Sequence, residues 1–443
     1  MAARLFAKKL DVEGVAKKII LMAINLPALS VASEVKNQFL QPLLAVFAQV
    51  TSQRKCPVES DRDWLLKGVE RVLSNGRSGR DFLQTFAPFW PQAMPVGPYF
   101  EKLASPRRRT MVAEGSARLR AHVDAARASA LSEFAALDSF DVYAGDGHYL
   151  AAATHDPMHG QTHWPTGHFF ALNLKSQSLF PLTLADASAR KKEHDARALK
   201  RQRVAQLRQG AGKGRKVIWV WDKAGVDLAF WQDRKASGIY FLSLRKAGMC
   251  LERVKQRDMD LSQPINQGVL SDRVVQDRRG IWVREITFEN PCDGQVYVYL
   301  TNELTLAPGL LVLLYKTRWD IEKVFDETKT KLAEKKSWAT SVTAKAMQAH
   351  FVALVHNLLL LVQDQHEQQG VVNTAETERK DKRLEQQVQA LTKNGRRLPL
   401  IYTVLRRFTQ ATFKLIRWLR VHWHRPTSLP QALLQLQHLY AKL

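Results

Sequence analysis

KVIWVWDKAG, residues 216–225, is an almost unbroken apolar run that ends on a carboxylate. Apolar residues that do not alternate with polar ones read as a strand buried on both faces of a sheet, with Asp222 at its C-terminal end. Such a strand needs a layer on each side, so this stretch predicts an α/β fold with helices over both faces. An acid placed after it needs solvent, a partner or a metal ion.

The surroundings extend the sheet. Upstream, DVYAGDGHYLAAA (141–153), TGHFFALNLKS (166–176) and SLFPLTLAD (178–186) are short, aromatic and β-branched, and are broken by Gly, Pro and Ser. Downstream, VDLAFWQDRKASG (226–238) reads as a helix and IYFLSLRK (239–246) as another strand. A second strand-rich part follows at 247–306, with GIWVREITFEN (280–290) and GQVYVYLTNEL (294–304). Helices resume at 310–335 and 342–366, and FVALVHNLLLLVQ (351–363) is too short and too polar at His356 and Asn357 for a membrane span. Residues 1–135 read as mostly helical; DRDWLLKGVERVLSNG (61–76) has apolar residues at helical spacing and an Asn75-Gly76 stop. Residues 366–387 read as a linker or an exposed helix.

The chain has 443 residues, 45% apolar and 24% charged, enough for a real core and unlike a disordered chain. Its net charge of +24 calls for a polyanionic partner: DNA, RNA or an anionic membrane. The basic run 190–216, read as helical, holds eleven Lys or Arg against Glu193 and Asp195, and no acid follows Glu385. That run either tracks DNA or is a solvated helix face, and Phe408, Leu415, Trp418 and Trp423 of the acid-free end read as core or as part of a binding surface. Cys56, Cys250 and Cys292 form no CxxC pair, which argues against zinc and disulfides and fits a reducing cytoplasm.

Three acids share the predicted sheet and the helix after it. Asp146 lies in the first strand, Asp222 ends a later one, and Glu322 lies in YKTRWDIEKVFDETKTK (315–331). Singly each has an ordinary reading: a turn Asp before Gly, a strand-end acid, a helix ion pair with Arg318 or Lys329. Together, three carboxylates suit two hard divalent cations that activate a water or a 3′-hydroxyl. Tyr315, Arg318, Glu322, Phe325 and Lys329 fall on one face if 310–335 is one helix.

The spacing Tyr315-x2-Arg318-x3-Glu322-x6-Lys329 resembles the Y-R-E-K signature of bacterial DDE-type insertion-sequence transposases of the insertion-sequence-four family. GDGHY (145–149) resembles that family's first Asp block, VWDKAG (220–225) its second, and YVYLTNEL (297–304) the strand before its glutamate helix. The resemblance spans about 138–365. It implies a ribonuclease H-like catalytic core, with Asp146, Asp222 and Glu322 as the triad for two Mg²⁺ ions, for which Mn²⁺ substitutes. It implies helical residues 1–135 that bind DNA, a core at 136–246 and 307–366, a β-rich insertion at 247–306 and a basic helical 367–443. Tyr315, Arg318 and Lys329 would meet phosphates of the transposon ends. Trp282 either stacks on a flipped base or packs the sheet, and His148 stands where Ser or Thr is more familiar. The implied function is a nucleoid-associated, cytoplasmic transposase that binds terminal inverted repeats and transfers 3′-hydroxyl ends into target DNA as a dimer, with no membrane partner. A repurposed DNA-binding protein without catalysis, another metal-dependent nuclease and a basic RNA-binding protein are the competing readings.

Overall fold

A computed structural model describes residues 33–371 apart from 56–58, 91–93, 129, 187–192 and 291–293, and also 382–383, 385–386, 389–391 and 412–441. Residues 1–32 of the helical N-terminal region, 190–192 of the basic run, 372–381 of the polar segment, Cys56, Cys292 and Phe408 lie outside the described residues.

The described chain opens with five helices: α1 (Glu34–Phe47), α2 (Asp61–Leu73), α3 (Gly79–Phe86), α4 (Val96–Leu103) and α5 (Pro106–Ala126). Ser33, Ser60, Ser78 and Ser105 cap α1, α2, α3 and α5, each accepting a hydrogen bond from the backbone N–H three residues on. Helix α2 stops where the sequence predicts, with Asn75 and Gly76 at φ of 69° and 68°.

The strands follow: β1 (Phe140–Leu150), a small hairpin of β2 (Met158–His159) and β3 (Thr162–His163), β4 (Thr166–Asn173), β5 (Leu179–Leu184), β6 (Lys216–Val220), β7 (Ile239–Leu244), β8 (Leu251–Gln256), β9 (Val269–Asp277), β10 (Trp282–Glu289) and β11 (Val296–Thr301). Nine of them form one mixed sheet in the order β5-β4-β1-β6-β7-β11-β10-β9-β8. Strand β6 is parallel to both neighbours, β1 and β7, and its last four residues are buried, as its unbroken apolar run requires. The four strands of 247–306 continue this sheet beyond β7 in an antiparallel series.

The faces of the sheet are packed differently. Val142, Ala144, Ile218, Val220 and Leu242 face a core shared with α9 (Pro308–Thr317) and α10 (Trp319–Asp326). Tyr143, Trp219, Trp221 and Phe241 face the opposite core, shared with the short helices α6 (Asp195–Lys200) and α7 (Val204–Leu207) and with α8 (Leu228–Lys235). The basic run is therefore two short helices and a loop, in which Gly210 and Gly214 adopt φ of 86° and 75° that a continuing helix excludes.

A third core joins α1–α5 to α11 (Val342–Gln368), α12 (Thr412–His422) and α13 (Leu429–Ala441). Leu415, Trp418 and Trp423 are buried in it, so these three aromatic and aliphatic groups of the acid-free end are core. Helix α11 is long and apolar enough to cross a membrane, yet 83% of its most apolar window is buried within the protein. Its two polar residues dock it to the sheet. Asn357 accepts the N–H of Leu179 (2.9 Å) and donates to the carbonyl of the same residue (3.0 Å), closing the outer edge of β5. His356 sits between the Glu327 carboxylate (3.1 Å) and the Gln177 carbonyl (3.0 Å).

Asn357→Leu keeps the volume and leaves both Leu179 backbone groups buried without partners. We expect a loss of about 2–4 kcal/mol, read as a lower thermal midpoint with faster amide exchange at Leu179. An unchanged midpoint would mean that the edge is held by other groups.

Candidate active site

Both strand acids follow from one rung of the sheet. Ala144 pairs with Val220, and Asp146 and Asp222 each stand two residues beyond that rung. Strand alternation gives them the face of Ala144 and Val220, the one that α9 and α10 cover. Strand β6 ends at Val220 while β1 runs on to Leu150, which leaves a notch beside Asp146. Asp146 Oδ1 accepts the N–H of Gly147 (2.8 Å), and Asp222 Oδ1 accepts that of Ala224 (2.8 Å).

The glutamate segment is not the single helix that the 310–335 spacing predicts. Arg318 lies between α9 and α10, its N–H bonded back three residues to Tyr315 (3.2 Å), which tightens the turn there. After Asp326 the chain widens into a π turn, Glu327–Lys331, closed by Leu332 N–H to Glu327 O at 3.0 Å. Phe325 points at the sheet, its ring 5.1 Å from His148 and 6.0 Å from Phe170. Lys329, in the π turn, is exposed. His148 is buried; burial first, then the Lys329 charge, lowers its pKa to about 4, so it packs as a neutral ring.

Arg318 is the cation of the site. It is 8% exposed, donates to Glu322 Oε1 at 2.9 Å, lies 5.7 Å from the centre of the Tyr315 ring, and its buried Nε has no partner. Burial disfavours its charge, but Tyr315, Glu322 and Asp146 outweigh that and raise its pKa. Burial raises the Tyr315 pKa as well; Arg318 opposes the rise, and Asp222 and Glu322 add to it. Tyr315, Arg318 and Glu322 thus share one electrostatic neighbourhood with Asp146 and Asp222.

A fourth carboxylate stands there, which the sequence shows only as one of two acids in a basic run. Asp195, the first residue of α6, accepts a hydrogen bond from Tyr149 Oη at 3.1 Å and is hydrogen-bonded to Asp146. Burial raises the Asp146 pKa, the Gly147 N–H opposes the rise, and the Asp195 and Asp222 charges add to it, bringing it to about 7. Burial and Asp222 raise that of Asp195 too. Every donor in the group is a carboxylate oxygen, the ligand type of hard divalent cations. Among the described residues no three acidic, histidine or cysteine side chains are grouped closely enough to hold a metal ion. Trp282 lies elsewhere: it is 57% exposed at the start of β10, three strands from β6, or about 14 Å by strand spacing. It borders a groove with Gln232, Lys235 and Leu304.

The raised Asp146 pKa sets a sign. Between its ordinary value of 3.8 and about 7 the folded protein holds a proton that the unfolded chain has released, so stability falls as pH rises through that range. In chelator, wild type should therefore lose more of its thermal midpoint between pH 5 and pH 8 than Asp146→Asn does. Parallel losses in the two proteins would contradict the crowding of charge.

The comparisons with known proteins fall on this same part of the chain. The family model described as "Transposase DDE domain" matches residues 130–358, or 229 of 443, from just before β1 into α11. "Putative transposase y4zB" of Sinorhizobium fredii is 24% identical over 152 residues, 33% of this chain and 42% of that protein, so the alignment spans less than half of the relative's length. With more than half of its residues matched by that model, the chain belongs to the transposase DDE domain family.

Proposed function

We propose that the protein binds the terminal inverted repeats of an insertion sequence, cuts the strand at each end, and transfers the freed 3′-hydroxyls into target DNA. Family membership makes it a transposase; the two chemical steps are the reading that the site supports best. The observation that carries it is that Asp146 and Asp222 stand two residues past one rung, on the face covered by α9 and by α10, which bears Glu322, with Arg318 at the junction of the two helices. The order β5-β4-β1-β6-β7, with β1 antiparallel to β4 and parallel to β6, supports a ribonuclease H-like core.

Asp146, Asp222 and Glu322 would hold two Mg²⁺ ions, with Mn²⁺ as substitute. Such ions, when bound, lower the cost of forming the attacking oxygen and of releasing the leaving one. The chain's own groups do the rest. The partnerless Nε of Arg318 marks it for a phosphate, and a phosphate that takes the guanidinium frees Glu322 for the metal site. Tyr315 would donate its hydroxyl to the DNA backbone, exposed Lys329 would neutralise a neighbouring phosphate, and Trp282, exposed and away from the acids, would stack on a base. In the first step water attacks phosphorus and the P–O3′ bond breaks, leaving a 3′-hydroxyl and a 5′-phosphate. In the second that 3′-hydroxyl attacks a target phosphorus and displaces the target's own 3′-oxygen. No protein–DNA bond is needed. Handling two ends together calls for a dimer on the DNA.

Purified protein with the DNA flanking its own gene tests this in Mg²⁺ or Mn²⁺. We expect metal-dependent 3′-hydroxyl ends and joined products, and a fall of at least about 100-fold in both with Glu322→Gln. Arg318→Ala should weaken end binding and flatten its salt dependence by roughly one phosphate contact. Tight binding with no cutting by either protein would favour a DNA-binding protein that has lost catalysis, a reading to which the Arg318–Glu322 pair lends some weight.

A further inference from the structure

We propose that Asp195 is a fourth carboxylate of the catalytic cluster and shares with Asp146 the binding of the divalent cation. This rests on the metal site just described and adds a ligand to it. Asp195 comes from the wrong side of the sheet for such a role: α6 packs Leu199 on the face opposite to α10. The way through is the notch where β6 has ended. Gly147, next to Asp146, projects no side chain onto the α6 face, and a Cβ there would lie 2.5 Å from Asp195 Oδ1. The glycine after the first acid is thus the space that the Asp195 carboxylate fills.

Tyr149, two residues further on the same face of β1, fixes the carboxylate from the other side. Its hydroxyl reaches Asp195 Oδ1 (3.1 Å) and the Glu193 carbonyl (2.7 Å). The other acid of the basic run serves the fold. Glu193 is buried, pairs with Arg201 at 2.6 Å and accepts the N–H of Asp186 at 2.7 Å. Asp195 has no such partner; among the described residues no Lys or Arg pairs with it, although Lys200 and Arg201 lie five and six residues on. Its partners are Tyr149 and the Asp146 carboxyl. An acid at the start of a helix is ordinarily stabilised by the helix N–H groups. This one faces another acid, an arrangement that a shared proton holds in the free protein and whose place a divalent cation would take.

The test is Mn²⁺ binding to the full-length protein without DNA, with free Mn²⁺ followed by electron paramagnetic resonance. Wild type, Asp195→Asn, Tyr149→Phe and Asp222→Asn are compared, with circular dichroism as the check on folding. We expect Asp195→Asn to weaken Mn²⁺ binding about ten-fold or more, and Tyr149→Phe, which keeps the carboxylate but frees it, to weaken it by a smaller factor. Wild-type affinity in Asp195→Asn beside a loss in Asp222→Asn would overturn the role of Asp195 and leave the metal site standing. Wild-type affinity in both Asp variants, or no binding by wild type, would overturn the metal site and this ligand together. If Asp195→Asn does not fold, Tyr149→Phe decides, and unchanged affinity there overturns the proposal.

Discussion

Buried polar groups have to be satisfied, and in this protein that requirement ties three bodies together at one helical turn. His356 and Asn357 interrupt the apolar surface of α11, and neither could be buried without partners. Asn357 takes both backbone groups of Leu179 on the outer edge of the sheet, and His356 takes Glu327 just after the glutamate helix. The same helix packs α1–α5 and α12–α13 on its other sides. The register of α10 against β1, and with it the position of Glu322, therefore depends on a histidine that touches none of the site's acids. The π turn at 327–331 fits this. It lets Glu327 reach His356 while Phe325 still seats against His148 and Phe170.

Against that rigid frame the acids are held where they repel. The Asp195 and Asp222 charges raise the cost of ionising Asp146, Asp222 raises that of Asp195, and Arg318 opposes the rise at Asp146. A fold selected only for stability would not gather them; perturbed carboxylates at strand ends are what a functional site looks like electrostatically. Arg318 gives partial relief, but its guanidinium is divided between Glu322 and the field of Asp146, and its Nε is left over. On the proposed reading a divalent cation would relieve the crowded acids, and a phosphate would give the Arg318 Nε its partner.

The central strand, the first Asp strand and the stop of α2 were legible because each is a local pattern: an unbroken apolar run, a Gly-bounded strand, an Asn-Gly at left-handed φ. The grouping of Asp146, Asp222 and Glu322 is an expectation from joint occurrence and resemblance, to which the fold adds that the two Asp residues stand two residues past one rung. Asp195 was not legible. It is 49 residues from Asp146 in the chain, sits among lysines and arginines, and comes to the site from the opposite face through a gap that exists only because β6 is short. The one clue was the pairing of a glycine at 147 with a tyrosine at 149, which has no meaning until the strand's neighbours are known. The two breaks in the 310–335 helix were hidden for a similar reason. Their causes, the tightened turn at Arg318 and the reach of Glu327 to His356, are tertiary.

The charge excess also takes on a different meaning once the fold is known. Net charge of +24 and a run of eleven cations suggest that the run itself is the DNA path. In the structure four of those eleven are already engaged: Arg201 with Glu193, Lys200 with Asp227, Arg215 with Asp141, and Arg208 with the carbonyls of Ser237 and Arg215. Cations engaged in this way release few counterions when a phosphate arrives, so they contribute little to a salt-dependent affinity. The exposed lysines beside the acids, Lys223 one residue after Asp222 and Lys329 beyond Glu322, are different, since no ion pair among the described residues holds either. A backbone that crosses the notch would meet these before it met the basic run. On the proposed function, the polyanion surface would lie around the ends of β1 and β6 rather than along the segment with the highest charge density, and binding and chemistry would share one edge of the sheet.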